Sequence, residues 1–508
     1  MHHKGVLTGE GFTAFEVIEA RARRIASGLA ALGVGPGTCV AMLMRNDAAF
    51  FEITYAVMRL GAYAVPLNWH FKGPEVAYIL KDCGAKALFG HHDLLLGVKA
   101  DLPAGLPVFG LPTPASVRAA YAAKAEADLP PAQNFAEWRD GLPETTVPPL
   151  PAPMSMIYTS GTTGNPKGVK RVAATGDQAK ALDDMRAMVY GLKPGIRALL
   201  PGPLYHSAPN SFSLRAGKIS DLLVLMERFE EEAFLRLIQE EKIDTIFMVP
   251  TMFIRLLKMP KEVRERYDCS SLRHVIHAAA PCPADVKTAM LDWWGDVIYE
   301  FYGGTESGPV SFSKPEDARR KPGSVGPVTP GAEIRILDEN DKILPRGQVG
   351  EIYSRMEAYP DFTYNNAPEK RREIDRDGFI TCGDVGYLDE DGYLFISDRK
   401  RDMVISGGVN IYPAEIEGVL HAAPGVKDCA VFGIPDAEFG EALMAVVEPQ
   451  EGVTLDLAAI RGHLASQLAN YKVPKHIEVR TGLPREDSGK IFKRRLRDPY
   501  WEKAGRTI

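Results

Sequence analysis

From Phe15 to Asn68 the apolar residues switch between two periods. FEVIEARARRIASGLAALGV places them at helical spacing, TCVAMLM is a continuous apolar run of strand length, AAFFEITYAVMRLGA returns to helical spacing, and YAVPLN is again short and β-prone. Such alternation leaves few options. Strands buried on both faces and joined by helical crossovers make a parallel sheet covered by helices. The same alternation returns in LIQEEKIDTIFMVPTMFIRLLKM and LRHVIHAAAP, which predicts a second α/β lobe over roughly 180–320.

Beyond that lobe, EIRILDEN, VGEIYSR and GYLFISDRK are short alternating segments bounded by Asp, Asn and Gly. They predict antiparallel β structure. A last unit, AEIEGVLHAAPGVKDCAVFGIP through ALMAVVEP to LAAIRGHLASQLANY, mixes helix and strand. Between Asp101 and Pro153 proline and alanine dominate and strand signals are few. That stretch reads either as a linker or as loops and short helices within the first lobe. The predicted fold is therefore α/β: a large N-terminal domain of two α/β lobes plus a β subdomain, followed by a small α+β C-terminal domain.

Composition narrows the function classes. Hydrophobic content of 45% and charged content of 25% belong to an ordinary globular protein and exclude a disordered or collagen-like chain. A net charge of -6 argues against a surface devoted to nucleic acid, so no nucleic-acid partner is expected. The tail from Tyr471 is locally basic, with GKIFKRRLR either a solvated face or a phosphate contact. Six cysteines are scattered without a C-x-x-C pair or zinc spacing, which fits buried thiols in a reducing compartment. No apolar run reaches the roughly 18 residues of a membrane span, and no secretion signal opens the chain, so a cytoplasmic protein is expected. Oligomeric state is unknown from the sequence.

The chemistry concentrates in a few stretches. MIYTSGTTGNPKGVKR, residues 156–171, ends an apolar run in Ser160, Gly161, Thr162, Thr163 and Gly164 and then meets Lys167. Glycines let backbone amides approach phosphate oxygens, hydroxyls add donors, and a lysine supplies charge. The alternative is a plain hairpin turn with a solvated lysine. The loop is not a Walker A sequence, because Pro166 precedes the lysine and Gly168 follows it. HAAAPCP, residues 277–283, follows a buried strand with residues small enough for a flat ring to lie against the backbone. YGGTES, residues 302–307, offers the aromatic Tyr302, the hydroxyl of Thr305 and a metal-capable carboxylate in Glu306. CGDVGYLDEDGYLFISDRKRD brings Asp384 for ribose hydroxyls and Arg399 for phosphate or ribose, and PREDSGKIFKRR puts Lys490 behind a glycine. Each alone has an ordinary structural reading; their joint order is specific.

That order resembles the adenylate-forming superfamily, and SGGVNIYPAEIE is most similar to its acyl-CoA synthetase and coumarate-ligase branch. The resemblance covers nearly the whole chain. It implies an N-terminal domain over 1–400 and a mobile C-terminal domain over 401–508. It implies ATP, Mg²⁺ and coenzyme A, with a small carboxylic acid as substrate. The acid attacks the α-phosphorus to give acyl-AMP and pyrophosphate, and the thiol of CoA then displaces AMP. By resemblance, Lys490 stabilises the α-phosphate in the first step, Thr305 and Glu306 serve catalysis with Glu306 holding Mg²⁺, and Thr159 to Lys167 grip the β and γ phosphates. Tyr302 stacks on adenine beside Ala279, Ala280 and Pro281, Asp384 binds ribose, and Arg399 meets ribose and phosphate. Rotation about Arg401, where relatives carry Lys or Asp, withdraws Lys490 and brings Ser406, Gly407, Gly408 and Asn410 to the pantetheine side. PLYHSAP, residues 203–209, matches the segment at the acyl-pocket mouth, so His206, Phe247, Val249, Gly303 and Gly304 are the expected pocket residues; His206 is also an expected catalytic residue, as a gate or beside the carboxylate, with a structural histidine as the alternative. A hydrophobic acid, fatty or aryl, is the expected substrate; transfer of the acyl group to an amine, hydroxyl or carrier protein is the alternative.

The sequence departs from the family pattern at two positions. Cys382 stands where Thr is usual, and Gly304 replaces a larger residue, which would widen or loosen the acyl pocket.

Overall fold

The computed structural model describes residues 4–123, 132–159, 166–399, 402–406, 409–436, 439–485 and 491–503. Among the described residues the strands form five sheets.

The first is the parallel sheet expected from the opening alternation. Its strands run Tyr63–Pro66, Cys39–Leu43, Ala85–His91, Val108–Leu111 and Gln133–Asn134 in spatial order. All five residues of Cys39–Leu43 are buried, as a strand covered on both faces requires. The helix Phe15–Ala31 buries Ile18, Ala22, Ile25, Ala26 and Leu29 along one face, the i, i+4, i+7 stripe of an amphipathic helix. Asp47 caps the helix Ala48–Arg59 by accepting from the backbone N–H of Ala49. The Pro/Ala-rich stretch after Asp101 is part of this lobe. Two of the strands, Val108–Leu111 and Gln133–Asn134, lie inside it, and so do the helices Ala115–Tyr121 and Phe135–Asp140. Strand content there is higher than its composition predicts, because these strands are short and are held by pairing with a sheet already formed.

The second sheet has eight strands, in the order Gly308–Ser313, Ile298–Gly304, His274–His277, Thr245–Met248, Arg197–Leu200, Leu222–Leu225, Gly5–Thr8 and Gly11–Ala14. Its six central strands are parallel and its two edge strands antiparallel. The expected span of 180–320 therefore needs correction: the lobe also takes the chain's first two strands, with Gly5 opposite Leu222. A strand's own period carries no information about which sheet it joins.

EIRILDEN, VGEIYSR and GYLFISDRK do lie in one antiparallel sheet, where Ala332–Leu337, Gly350–Met356 and Phe379–Leu388 are neighbours and Leu394–Arg399 pairs with the last. A small sheet of Phe362–Tyr364, Lys167–Arg171 and Ile157–Thr159 sits beside it. Towards the C-terminus, Val409–Ile411, Val404–Ser406, Gly440–Pro449 and Val426–Asp436 form an antiparallel group, with His476–Val479 added in parallel. Helices Pro413–His421 and Leu457–Gln467 cover it, and Val404, Ile416, Leu420, Val431, Leu443 and Ile460 form a hydrophobic cluster of its own. Among the described residues no helix is long and apolar enough to cross a membrane.

Candidate active site

The Gly/Thr-rich loop joins two antiparallel strands. Ile157–Thr159 pairs with Lys167–Arg171, and the last register pair is Thr159 with Lys167. Both sequence readings, hairpin and phosphate loop, agree with that placement. Ser160, Gly161, Thr162, Thr163 and Gly164 lie outside the described residues, as do Arg401, Gly407, Gly408 and Lys490.

Glu306 stands at the root of this loop. Its Oε1 accepts a hydrogen bond from Thr159 Oγ1 at 3.3 Å and another from the Tyr364 hydroxyl at 3.0 Å. Burial, then the neighbouring Glu306 charge, raises the Tyr364 phenol well above its ordinary pKa, so it stays a donor. Lys167 Nζ lies over the Tyr364 ring, 5.3 Å from its centroid. The backbone beneath is fixed by Arg171, a buried guanidinium that donates to the carbonyl oxygens of Thr305 (3.1 Å), Glu306 and Pro360. Charge-assisted bonds to three carbonyls hold Thr305 and Glu306 in one conformation. Neither Tyr364 nor Arg171 was expected from the sequence; a lone Tyr in FTYNNAPEK and the Arg closing GVKR carry no local signal of a site 58 and 134 residues away.

Tyr302 and Asp384 meet as well. The phenol donates to Asp384 Oδ2 at 2.8 Å, and Asp384 is opposite Arg399 in the strand register. Gly303 is required by packing: a Cβ there would lie 1.8 Å from the carbonyl oxygen of Gly308. A Cβ at Gly304 would lie 2.9 Å from Cys382 Sγ and 3.5 Å from Glu306 Oε2. The two departures from the family pattern thus face each other, with the Glu306 carboxylate beside them.

The HAAAP turn leaves the strand His274–His277 with Ala279 at φ 74°, a left-handed conformation uncommon for a residue with a Cβ. Its anchor is buried. His277 is fully buried, its pKa pushed far below the ordinary value by desolvation and by Lys287, and Lys287 pairs with Glu300 directly behind it. Ala280 and Pro281 follow in the same turn.

Of the expected acyl-pocket residues, Gly303 and Gly304 lie beside Glu306, whereas His206, Phe247 and Val249 sit on other elements. His206 precedes the helix Ser207–Ile219, its ring 4.3 Å from that of Tyr205, which packs against Trp69 at 4.6 Å. Asn46 holds this segment from the first lobe, donating to the carbonyls of Gly202 and Met226 and accepting from the N–H of Leu204. Phe247 is 1% exposed and Val249 8%, and both belong to the main hydrophobic core cluster. Phe247 stands 6.1 Å from Phe212, 6.3 Å from Tyr190 and 6.4 Å from Phe301, centroid to centroid. Ser406 is opposite Val409 in its hairpin, and Asn410 opposite Ile405.

As a metal ligand set, Glu306 suits magnesium. Mg²⁺ is commonly held by one or two carboxylates together with substrate phosphates. Here Oε1 is engaged by two hydroxyls, and Oε2 lies on the side of Gly304.

Comparisons with known proteins extend over nearly the whole chain. The AMP-binding enzyme family matches residues 8–358, and the AMP-binding enzyme C-terminal domain matches residues 415–490. A feruloyl-CoA synthase of Amycolatopsis sp is 34% identical, covering 98% of this chain and 96% of that protein. The fatty acid–[acyl-carrier-protein] ligase ScoC of Streptomyces coeruleorubidus is 32% identical over 97% of this chain and 93% of its own length. Among solved structures, the amide bond synthetase McbA from Marinactinospora thermotolerans superposes with a TM-score of 0.83 at 26% identity, covering 98% of this chain and 97% of that one.

Proposed function

We infer the reaction from one premise: this chain belongs to the family of AMP-binding enzymes. It is an AMP-forming acid:CoA ligase that uses ATP and coenzyme A. In the first step a carboxylate oxygen of the acid bonds to the α-phosphorus as the bond to pyrophosphate breaks. In the second, the thiol sulfur of CoA bonds to the acyl carbon, AMP leaves and the thiol proton passes to solvent. The logic is that of leaving groups: a carboxylate would have to expel oxide, whereas AMP departs as a stabilised anion.

The observation that carries the site reading is the Glu306 carboxylate, held by the hydroxyls of Thr159 and Tyr364 at the root of the Gly/Thr loop. Glu306 would hold Mg²⁺, which supplies charge neutralisation for the phosphates. The 160–164 loop with Lys167 grips the β and γ phosphates and guides pyrophosphate away. Tyr302 offers its face to adenine beside Ala279, Ala280 and Pro281, while its hydroxyl braces Asp384 for the ribose. Arg399 meets ribose and phosphate. Lys490 supplies the cation at the α-phosphate; removing one such preorganised donor costs roughly 3–4 kcal/mol in other enzymes. The C-terminal domain, 401–508, turns about Arg401 between the steps, exchanging Lys490 for the Ser406–Asn410 hairpin.

For the acid, the expected pocket residues Phe247 and Val249 belong to an apolar cluster in which the rings of Phe212, Phe247, Phe301 and Tyr190 interlock, each no more than 7% exposed. Such surroundings suit a hydrophobic acid, fatty or aryl, better than an amino acid. The test is pyrophosphate release with Mg-ATP over a panel of aryl, short and long fatty acids and amino acids, with and without CoA. The expected result is AMP and pyrophosphate with a hydrophobic acid and a thioester only when CoA is present. ADP and phosphate would overturn the reading. A second reading concerns the acceptor, because relatives carry names with CoA, carrier-protein and amide products. Adenylate that accumulates in the presence of CoA and is consumed by an amine or carrier protein would favour it.

A further inference from the structure

The helix Gly73–Asp82 of the first lobe ends against the small sheet that carries Thr159 and Tyr364. Its last residue makes an unusual set of bonds there. Asp82 Oδ2 accepts from the Tyr158 hydroxyl at 2.5 Å and from Asn365 Nδ2 at 3.3 Å. The Asp82 carbonyl oxygen accepts from Asn365 Nδ2 and Asn366 Nδ2, each at 2.7 Å, and Oδ1 takes a further 3.3 Å contact from Asn366. Tyr158 reaches across because its strand neighbour is Gly168: a Cβ there would lie 2.8 Å from the Tyr158 ring. Burial, then the bond to Asp82, raises the Tyr158 phenol well above its ordinary pKa, so it remains a donor.

Successive residues of a strand face opposite ways. Tyr158 is followed by Thr159, and Asn365 is preceded by Tyr364. Thus Tyr158, on one face of the small sheet, and Asn365, in the turn after its outer strand, are tied to Asp82, while Thr159 and Tyr364 hold the two hydroxyls on Glu306 Oε1. The middle strand, Lys167–Arg171, supplies Arg171 to the backbone of Thr305 and Glu306. All three strands meet at Glu306, the outer two at its carboxylate and the middle one at its backbone, and the outer two are anchored to one residue of the first lobe.

We propose that Asp82 is a positioning residue for adenylate formation, clamping the two outer strands so that Thr159 and Tyr364 keep the Glu306 carboxylate in place. The proposal rests on the reading of Glu306 as the group that faces the metal–nucleotide. Asp82 touches no reacting atom. Its effect passes through Tyr158 and Asn365, so it should show in the step that needs ATP and be absent from the step that does not.

The experiment uses the full chain with Asp82→Ala, Asp82→Asn and Tyr158→Phe. Acid-dependent pyrophosphate–ATP exchange measures the first half-reaction, and thioester formation from supplied acyl-AMP and CoA measures the second. Asp82→Ala is expected to slow exchange about tenfold or more and to raise the Mg²⁺ requirement, since small misplacements at a reacting centre cost up to about a hundredfold. The second half-reaction should stay within about twofold of wild type. Asp82→Asn keeps an acceptor for the Tyr158 hydroxyl and should recover most of the exchange; Tyr158→Phe should show part of the loss. Equal losses in both half-reactions, or no loss in either, would overturn the clamp. Hydrogen–deuterium exchange of the same proteins decides it independently of turnover. Faster exchange confined to residues 157–171 and 362–366 supports the clamp, and unchanged exchange there overturns it. Wild-type protein that makes no pyrophosphate with any acid would count against the ligase reading, and the exchange measurement would still judge Asp82.

Discussion

Tyr302 donates its phenolic hydrogen to Asp384 Oδ2 across 2.8 Å, and that bond ties the eight-stranded sheet to the antiparallel sheet beside it. Sequence reasoning gives the two residues separate tasks, one on adenine and one on ribose. The structure makes them one unit, because the Tyr302 hydroxyl holds the Asp384 carboxylate. Tyr302→Phe keeps the ring and removes the bond. Hydrogen bonds to a charged group are worth about 1.5–3 kcal/mol, so the KM for ATP is expected to rise about tenfold or more. Steady-state kinetics at saturating acid and CoA checks this, and an unchanged KM would show that Asp384 is held without the phenol.

Tyr364→Phe removes one of the two hydroxyls on Glu306 Oε1 and leaves Thr159 in place. Loss of one bond to a carboxylate should slow adenylate formation about tenfold. Glu306→Gln removes the charge itself and should abolish most of it. If Glu306→Gln proves milder than Tyr364→Phe, the carboxylate is not the group that matters.

Lys490→Ala should lower adenylate formation by a factor on the order of 10²–10³, the usual cost of losing one preorganised donor. Thioester formation from supplied acyl-AMP should survive, because the charge is needed only in the first step. Comparable losses in both steps would contradict the proposed rotation of the C-terminal domain.

Gly304 and Cys382 should behave as a coupled pair. A methyl at 304 would lie 2.9 Å from the Cys382 sulfur, closer than Cβ contacts normally come. Gly304→Ala is therefore expected to cost stability and activity in the wild-type background and to cost less when combined with Cys382→Ala. A double-mutant cycle should give a coupling of about 0.5 kcal/mol or more. Strict additivity would mean the strand moves aside freely.

Acid should weaken the fold through His274, which stacks on Tyr299 at 4.0 Å and bonds through Nε2 to the carbonyl of Val189. Burial lowers its pKa from 6.5 to about 4. Below 6.5 the unfolded chain takes up a proton that the folded one refuses, so stability is complete above 6.5 and falls as pH drops towards 4. The slope is about 1.4 kcal/mol per pH unit for one such group. Urea unfolding at several pH values measures it, and His274→Gln should flatten the profile by about one proton.

Much of the site is legible without coordinates because its residues are local in sequence. Glu306 and Tyr302 share one hexapeptide, and Asp384 and Arg399 share one hairpin. Glycine-rich loops and small-residue turns advertise their chemistry through residue type alone. What holds them does not. Tyr364 reaches Glu306 across 58 residues, Arg171 reaches Thr305 across 134, and Asn365 reaches Asp82 across 283. Tyrosines, arginines and asparagines of that kind are common everywhere in a chain, and nothing in their immediate neighbours marks a distant partner.

The fold divides the same way. Apolar period by itself determined that there are parallel α/β lobes, an antiparallel region and a mixed C-terminal unit, because period is set within a few residues by burial on one face or two. Only the tertiary structure decided that Gly5–Thr8 pairs with Leu222–Leu225, that the Pro/Ala-rich stretch completes the first sheet, and that Asp82 meets the small sheet at the base of the Gly/Thr-rich segment. Those choices rest on edge pairing and on hydrogen bonds between residues far apart in the chain. Their free energy comes from partners that become neighbours only when the whole chain has packed.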